Sequence, residues 1–372
     1  MKAILRQAGL LLVALAALYG VLLVIALIVL PRPDQASGLD TAGAARTIFM
    51  TEPKYVVLNR SALRSEKPQV VLLGASNVVV GMRQREVASL VEGAVVHNLA
   101  IGGANMTEVR QILDLVQEMQ SPTARRRTVF VIGMWYGMFF TDRQHWSTPD
   151  RHAGDTDIDI ERLRYGFYRR GSSGLVELLP SAYLDLGVAA IRPYLALERL
   201  SRDATKAVRD RLFKHTPERS EEQRNQTVVS EAERLQALDH WRTTIGSEGE
   251  LADEQFLVLQ RMVDAILASG ARVVLVDLPI PTWHAQRSPY MTSYRQHAQR
   301  LFADLADRPG LSVLAMADLD ADADFYDEVH PKPRVTMSWA RRLAVALGPV
   351  MARPAEVVAA PAARQQAERS EP

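Results

Sequence analysis

The chain contains no cysteine among its 372 residues. That excludes disulfides, thiolate catalysis and cysteine-ligated zinc, and leaves an oxygen or an amine as any nucleophile. An excess of charge is missing too: 44 Lys and Arg against 43 Asp and Glu give a net charge of +1. A nucleic-acid partner normally selects a clustered basic excess, so none is expected. Nucleotide motifs are also lacking. The dinucleotide fingerprint needs glycines at its first, third and sixth positions, but counting from Gly74 the later places hold Ser76 and Val79. No Gly-Lys-Ser/Thr phosphate loop follows. His97, His284 and His297 share no tight spacing with one another or with carboxylates, so no metal and no cofactor is expected.

Hydrophobic residues make up 48% of the chain and charged ones 23%, enough for a substantial core. Residues 10–30 form an almost unbroken apolar run interrupted by Tyr19 and Gly20. Its length is close to the roughly 20 residues that span a hydrocarbon layer as a helix. A cleaved signal has a shorter apolar core, of about 7 to 15 residues, and a small-residue cleavage site. Here the run ends in Pro31-Arg32-Pro33. Lys2 and Arg6 precede it, so the positive-inside tendency predicts a cytoplasmic N-terminus, one pass through the plasma (inner) membrane, and a periplasmic or extracellular domain.

The expected organisation is an anchor over 1–31, a polar, turn-rich linker over 32–67, an α/β domain over 68–350 and a disordered tail over 351–372. Short apolar runs at 70–73, 94–99, 128–133, 272–278 and 311–315 read as buried strands. Helical spacing at 82–91, 108–119, 256–267, 293–305 and 335–347 alternates with them. This order predicts a three-layer α/β/α fold with a parallel central sheet. The pattern lapses between 141 and 253, which reads as a mainly helical insertion.

Two segments could carry chemistry. The first strand runs into Gly74-Ala75-Ser76-Asn77 at the carboxyl edge of the sheet, where open α/β sheets bind ligands. A serine there can expose its hydroxyl; alone, it is equally a turn residue or helix cap. After the last strand comes Asp327-Glu328-Val329-His330-Pro331. Three-residue spacing in a turn lets a carboxylate reach imidazole Nδ1, fixing the tautomer and freeing Nε2 to accept a serine proton. Together, Ser76, Asp327 and His330 predict a nucleophile, an orienting acid and a base.

With these residues the chain resembles the SGNH, or GDSL-like, hydrolases over roughly 68–140 and 255–347, a family of flavodoxin-like α/β/α architecture. The resemblance implies Ser76 as nucleophile and Asp327 and His330 as its triad partners. It also implies an oxyanion hole from the backbone N–H groups of Ser76 and Gly102, with Gly103 as the alternate alignment. There are two departures. Ala75 stands where the motif has Asp, and Gly133-Met-Trp-Tyr136 replaces the block that supplies an oxyanion-binding Asn. Losing such a donor costs about 2.7 to 4 kcal/mol. Tyr136, Trp135 and Asn105 are the candidate replacements, and Asn77, Trp135 and Tyr136 the candidate substrate-pocket residues.

The combination of apolar N-terminal helix, altered third block and retained Ser and Asp-x-x-His resembles membrane-tethered members that modify bacterial surface polymers. It implies a serine esterase or O-acetyltransferase acting on a surface polysaccharide, beside a multi-spanning membrane acyltransferase that supplies the acyl group. The competing expectation is a non-catalytic scaffold of such an acylation complex, suggested by the lost Asn.

Overall fold

The computed structural model describes residues 2–29, 38–141, 155–172, 174–213, 219–246, 248–305 and 307–352. Helix α1 (Lys2–Val29) is long and apolar enough to cross a membrane, and most of its surface is exposed. From Ala8 onward it is hydrophobic all round. The expected disordered tail lies, from residue 353 onward, outside the described residues.

Elements then alternate along the chain. Helix α2 (Glu52–Asn59) leads to β1 (Gln69–Leu73), α3 (Ser76–Gly81), α4 (Gln84–Ala88), β2 (Val95–Asn98), α5 (Met106–Met119), α6 (Pro122–Arg126) and β3 (Thr128–Met134). The insertion supplies α7 (Asp157–Arg164), an antiparallel hairpin of β4 (Tyr168–Gly171) and β5 (Gly174–Glu177), α8 (Leu184–Phe213), α9 (Glu221–Gln226) and α10 (Glu231–Ile245). The core resumes with α11 (Asp253–Ala268), β6 (Arg272–Asp277), α12 (Thr282–Arg287), α13 (Met291–Leu305), β7 (Leu311–Ala315) and α14 (Thr336–Ala352).

Five strands pair in parallel in the order β2-β1-β3-β6-β7, flanked by helices as expected for three layers. Alternation along β1 divides the core. Val70 and Leu72 face a cluster with Val78, Val131, Trp339 and Leu343, whereas Val71 and Leu73 face one with Ile112, Val116, Ile132 and Leu259. The chain leaves β1 to β2 on one side and β3 on the other, so the carboxyl ends of β1 and β3 form the topological switch point. Although β7 lies at the far edge, α14 returns across the sheet and packs on α3 and α4.

Two local expectations differ from the structure. The helix expected over 82–91 is shorter, α4 covering only Gln84–Ala88, and a separate helix, α3, precedes it from Ser76 to Gly81. Asn98 Nδ2 donates to the carbonyls of Val78 and Met82 and satisfies the end of α3 where periodicity alone would continue it. The stretch expected as a linker, where described, is packed into the α/β unit. Leu39, Val56, Leu58 and Leu63 are buried, and the Asn98 N–H donates to the Leu39 carbonyl at 2.8 Å. Its signal was masked because α2 and the following turn bury cations: Lys54 pairs with Glu198 at 2.8 Å, and Arg60 with Glu118 at 2.7 Å.

Candidate functional site

Ser76 opens α3 directly after the β1 turn. Gly74 there has φ +151°, and a Cβ on it would lie 2.5 Å from Val78 Cγ2. Gly133 on β3 meets the same methyl at 2.4 Å. Both glycines therefore let α3 sit close on the sheet, with Ser76 partly exposed at its first turn. Gly102 lies beside the serine: a Cβ on Gly102 would be 3.9 Å from Ser76 Cβ.

The same Gly102 is engaged by a residue the sequence reading passed over. Its backbone N–H donates to Glu52 Oε2 at the start of α2, so a carboxylate occupies the expected oxyanion donor. Burial raises the Glu52 pKa, and the Gly102 N–H only partly offsets this. Thr51, whose hydroxyl accepts the Lys54 N–H, caps the helix and fixes the position of Glu52. Thr51-Glu52-Pro53 is a recognisable helix start; nothing in it reports contact with Gly102, which is tertiary. Around this contact is a cavity of about 270 Å³ lined by Thr41, Met50, Glu52, Ile101, Gly102 and Asp157.

In the loop after β7, Asp327 and His330 form a compact pair. The His330 ring bonds through Nδ1 to Asp327 Oδ2 at 2.7 Å, and the backbone N–H groups of Val329 and His330 donate to Oδ1 at 3.0 and 2.7 Å. Burial disfavours imidazolium, but Asp327 and Glu328 outweigh it and raise the His330 pKa. Burial would likewise raise the Asp327 pKa, yet His330 and the two N–H donors hold it below the usual carboxylate range. Tyr326 stacks on the imidazole with centroids 5.6 Å apart, and Arg224 from α9 lies over the Tyr326 ring.

This loop packs on α3: a Cβ on Gly81 would approach Pro331 Cγ to 3.0 Å. The serine and the imidazole are nonetheless not hydrogen-bonded to one another. Neither Ser76 Oγ nor His330 Nε2 has a hydrogen-bond partner among the described residues.

The remaining predicted residues are placed elsewhere around this edge. Asn77 is fully buried, its Oδ1 accepting the Val78 N–H and its Nδ2 without a partner. Asn105 caps α5 through Oδ1 and donates from Nδ2 to the Phe140 carbonyl at 3.2 Å. Gly103, at φ +73°, makes the turn before it. Tyr136 is buried and its hydroxyl meets His284 Nε2 at 2.5 Å, while His284 Nδ1 faces the Glu328 carbonyl at 2.7 Å. Burial lowers the His284 pKa to about 4, so this histidine is neutral and links β3 to the Asp327 loop. Trp135 packs edge-on against Trp241 of α10, its indole N–H unpartnered, and with Tyr136 borders a cavity of about 80 Å³ that includes Asp277 and Tyr294.

The insertion encloses the Asp327 side. Arg219, Glu233 and His240 line a cavity of about 310 Å³ with Tyr326, Asp327 and Glu328. Asn225 accepts the Arg334 N–H at 3.0 Å, and Glu221 pairs with Arg83 at 3.0 Å. Among the described residues, no cluster of three or more His, Asp or Glu could hold a metal. No protein-family model matches this chain, and no curated protein matches it.

Proposed function

We propose that the chain is a membrane-anchored serine acyl-transfer enzyme of SGNH type, an O-acetyltransferase or esterase acting on a surface polysaccharide. The supporting observation is the Asp327–His330 pair, which orients Nδ1 and leaves Nε2 without a partner on a loop packed against the helix that begins at Ser76. In this reading Ser76 Oγ attacks an ester carbonyl and His330 Nε2 takes its proton. Asp327 stabilises the imidazolium, and the alcohol leaves with that proton. The acyl-Ser76 ester then passes its acyl group to water or to a polymer hydroxyl. The α1 helix, with Lys2 and Arg6 at its start, supports a cytoplasmic N-terminus and an extracytoplasmic domain. A multi-spanning membrane acyltransferase is the proposed acyl donor.

The engaged Gly102 N–H favours a second reading, a non-catalytic scaffold of an acylation complex. Turnover separates the two. With the full chain in detergent, p-nitrophenyl acetate hydrolysis that Ser76→Ala and His330→Ala each reduce to background supports the enzyme. Hydrolysis unchanged by both substitutions leaves only the scaffold.

A further inference from the structure

We propose that α8 is a second membrane contact, a bilayer-facing amphipathic helix that holds the α/β unit against the lipid surface beside α1. The proposal rests on the reading of α1 as a membrane anchor.

The pattern along α8 carries it. Leu184, Val188 and Leu195 share one face and are buried on the α/β unit. Beyond Arg199, which donates to the carbonyls of Ala45 and Thr47, the helix leaves the unit and residues 201–209 are exposed. Over that projecting part the same face becomes Arg202, Lys206 and Arg209, as expected where protein gives way to water. The opposite face stays apolar apart from Ser201 and Arg211. Leu186, Tyr194, Leu197, Leu200, Val208 and Leu212 follow one another at helical spacing, each half exposed or more. A helix with water on its outer side would carry polar residues there. An apolar stripe kept along the helix, with cations opposite, is the pattern of one lying in a lipid interface.

The position of α1 identifies the occupant. Its apolar run, at about 1.5 Å per residue, matches a hydrocarbon layer of about 30 Å with no turn to spare. Yet it packs on α8 from within that run: Tyr19 donates to the Ala190 carbonyl at 2.5 Å, and Leu23, Ala26 and Leu27 lie on the same, more sheltered side of α1. The other sides of this half, at Val21, Val24, Ile25 and Ile28, are exposed. A bilayer that covers those residues extends to α8, packed on the sheltered side of the same half. The apolar surfaces of α1 and α8 are thus continuous, and lipid in the leaflet on the domain's side covers both.

The absence of cysteine makes the test direct. Leu197→Cys and Val208→Cys in the full chain, labelled with an environment-sensitive fluorophore, are reconstituted at one copy per nanodisc so that no other protein can cover the stripe. Nanodiscs with and without doxyl-labelled lipid are compared. Leu12→Cys on α1 reports anchoring, and Val345→Cys, exposed on α14, reports a surface away from lipid. The expected result is quenching at 197 and 208 several-fold above that at 345, approaching that at 12. Quenching at 12 with 197 and 208 no different from 345 overturns the α8 contact and leaves the anchor standing. Quenching at none of the four overturns both. Blue-shifted but unquenched emission at 208 assigns the stripe to a contact with other residues of this chain and also overturns the proposal.

Discussion

His330 and Asp327 are joined twice, the imidazole Nδ1 at 2.7 Å from Oδ2 and the His330 backbone N–H donating to Oδ1 at 2.7 Å. The second bond makes the carboxylate part of the turn's own backbone. Ring orientation therefore follows from loop geometry, not from a free rotamer choice.

A pH dependence follows from this pair. Because Asp327 and Glu328 raise the His330 pKa against the effect of burial, the imidazole serves as base only above that raised value. Ester turnover should rise with pH through a transition alkaline of an ordinary histidine's. Asp327→Asn should move the transition to lower pH and cut turnover roughly 10³- to 10⁴-fold. A pH–rate profile of both proteins checks the direction. The stability effect has the sign of a raised histidine pKa: stabilisation is fully present below the unfolded pKa of about 6.5 and is lost as pH rises through the folded value.

Glu52 restrains the proposed oxyanion donor. Glu52→Ala frees the Gly102 N–H and should speed p-nitrophenyl acetate turnover, by up to about 100-fold if the site gains one full donor. Glu52→Gln keeps an acceptor at Gly102 and should give a smaller gain. Burial raises the Glu52 pKa, so its charged form destabilises the fold at neutral pH. The neutral Gln should accordingly melt higher there, with the difference shrinking as pH falls through the raised value. Equal turnover in all three proteins would remove Glu52 from the account.

Packing of α3 on the sheet sets the serine's position. A methyl on Gly133 would lie 2.4 Å from Val78 Cγ2 and 2.9 Å from Leu278 Cδ1. Gly133→Ala should cost about 1 to 3 kcal/mol by overpacking and lower turnover with it. Adding Val78→Ala removes the nearer clash and should recover part of both losses, measured as thermal midpoint and rate.

The buried Lys54 tests whether the segment before β1 belongs to the folded unit. Glu198→Ala strands its ammonium and should cost about 3 kcal/mol, whereas Lys54→Met, which removes the buried charge, should cost much less. Chemical denaturation in detergent followed by near-UV circular dichroism distinguishes the two.

Strand positions were legible because parallel strands buried on both faces are continuous apolar runs: the strand expected over 311–315 is β7 (Leu311–Ala315), and the others shift by a residue or so. The Asp327–His330 pair was legible because its geometry is local. Where contacts are tertiary, the sequence carried less. Glu52 reaches Gly102 across 50 positions, and His284 joins Tyr136 to the Glu328 carbonyl from two separate elements. The helix over 52–59 was missed because its buried face includes Lys54, whose partner Glu198 lies in the insertion. Of the insertion, only its mainly helical character could be read, not that α8 and α10 pack on α1 and the Trp135 side chain.

The most direct measurement is covalent. The full chain in detergent is treated with a serine-directed fluorophosphonate and digested for peptide mass spectrometry. The account predicts one adduct, on Ser76, abolished by Ser76→Ala, slowed by His330→Ala and accelerated by Glu52→Ala. An unlabelled Ser76, with label absent or on other serines alone, would contradict it.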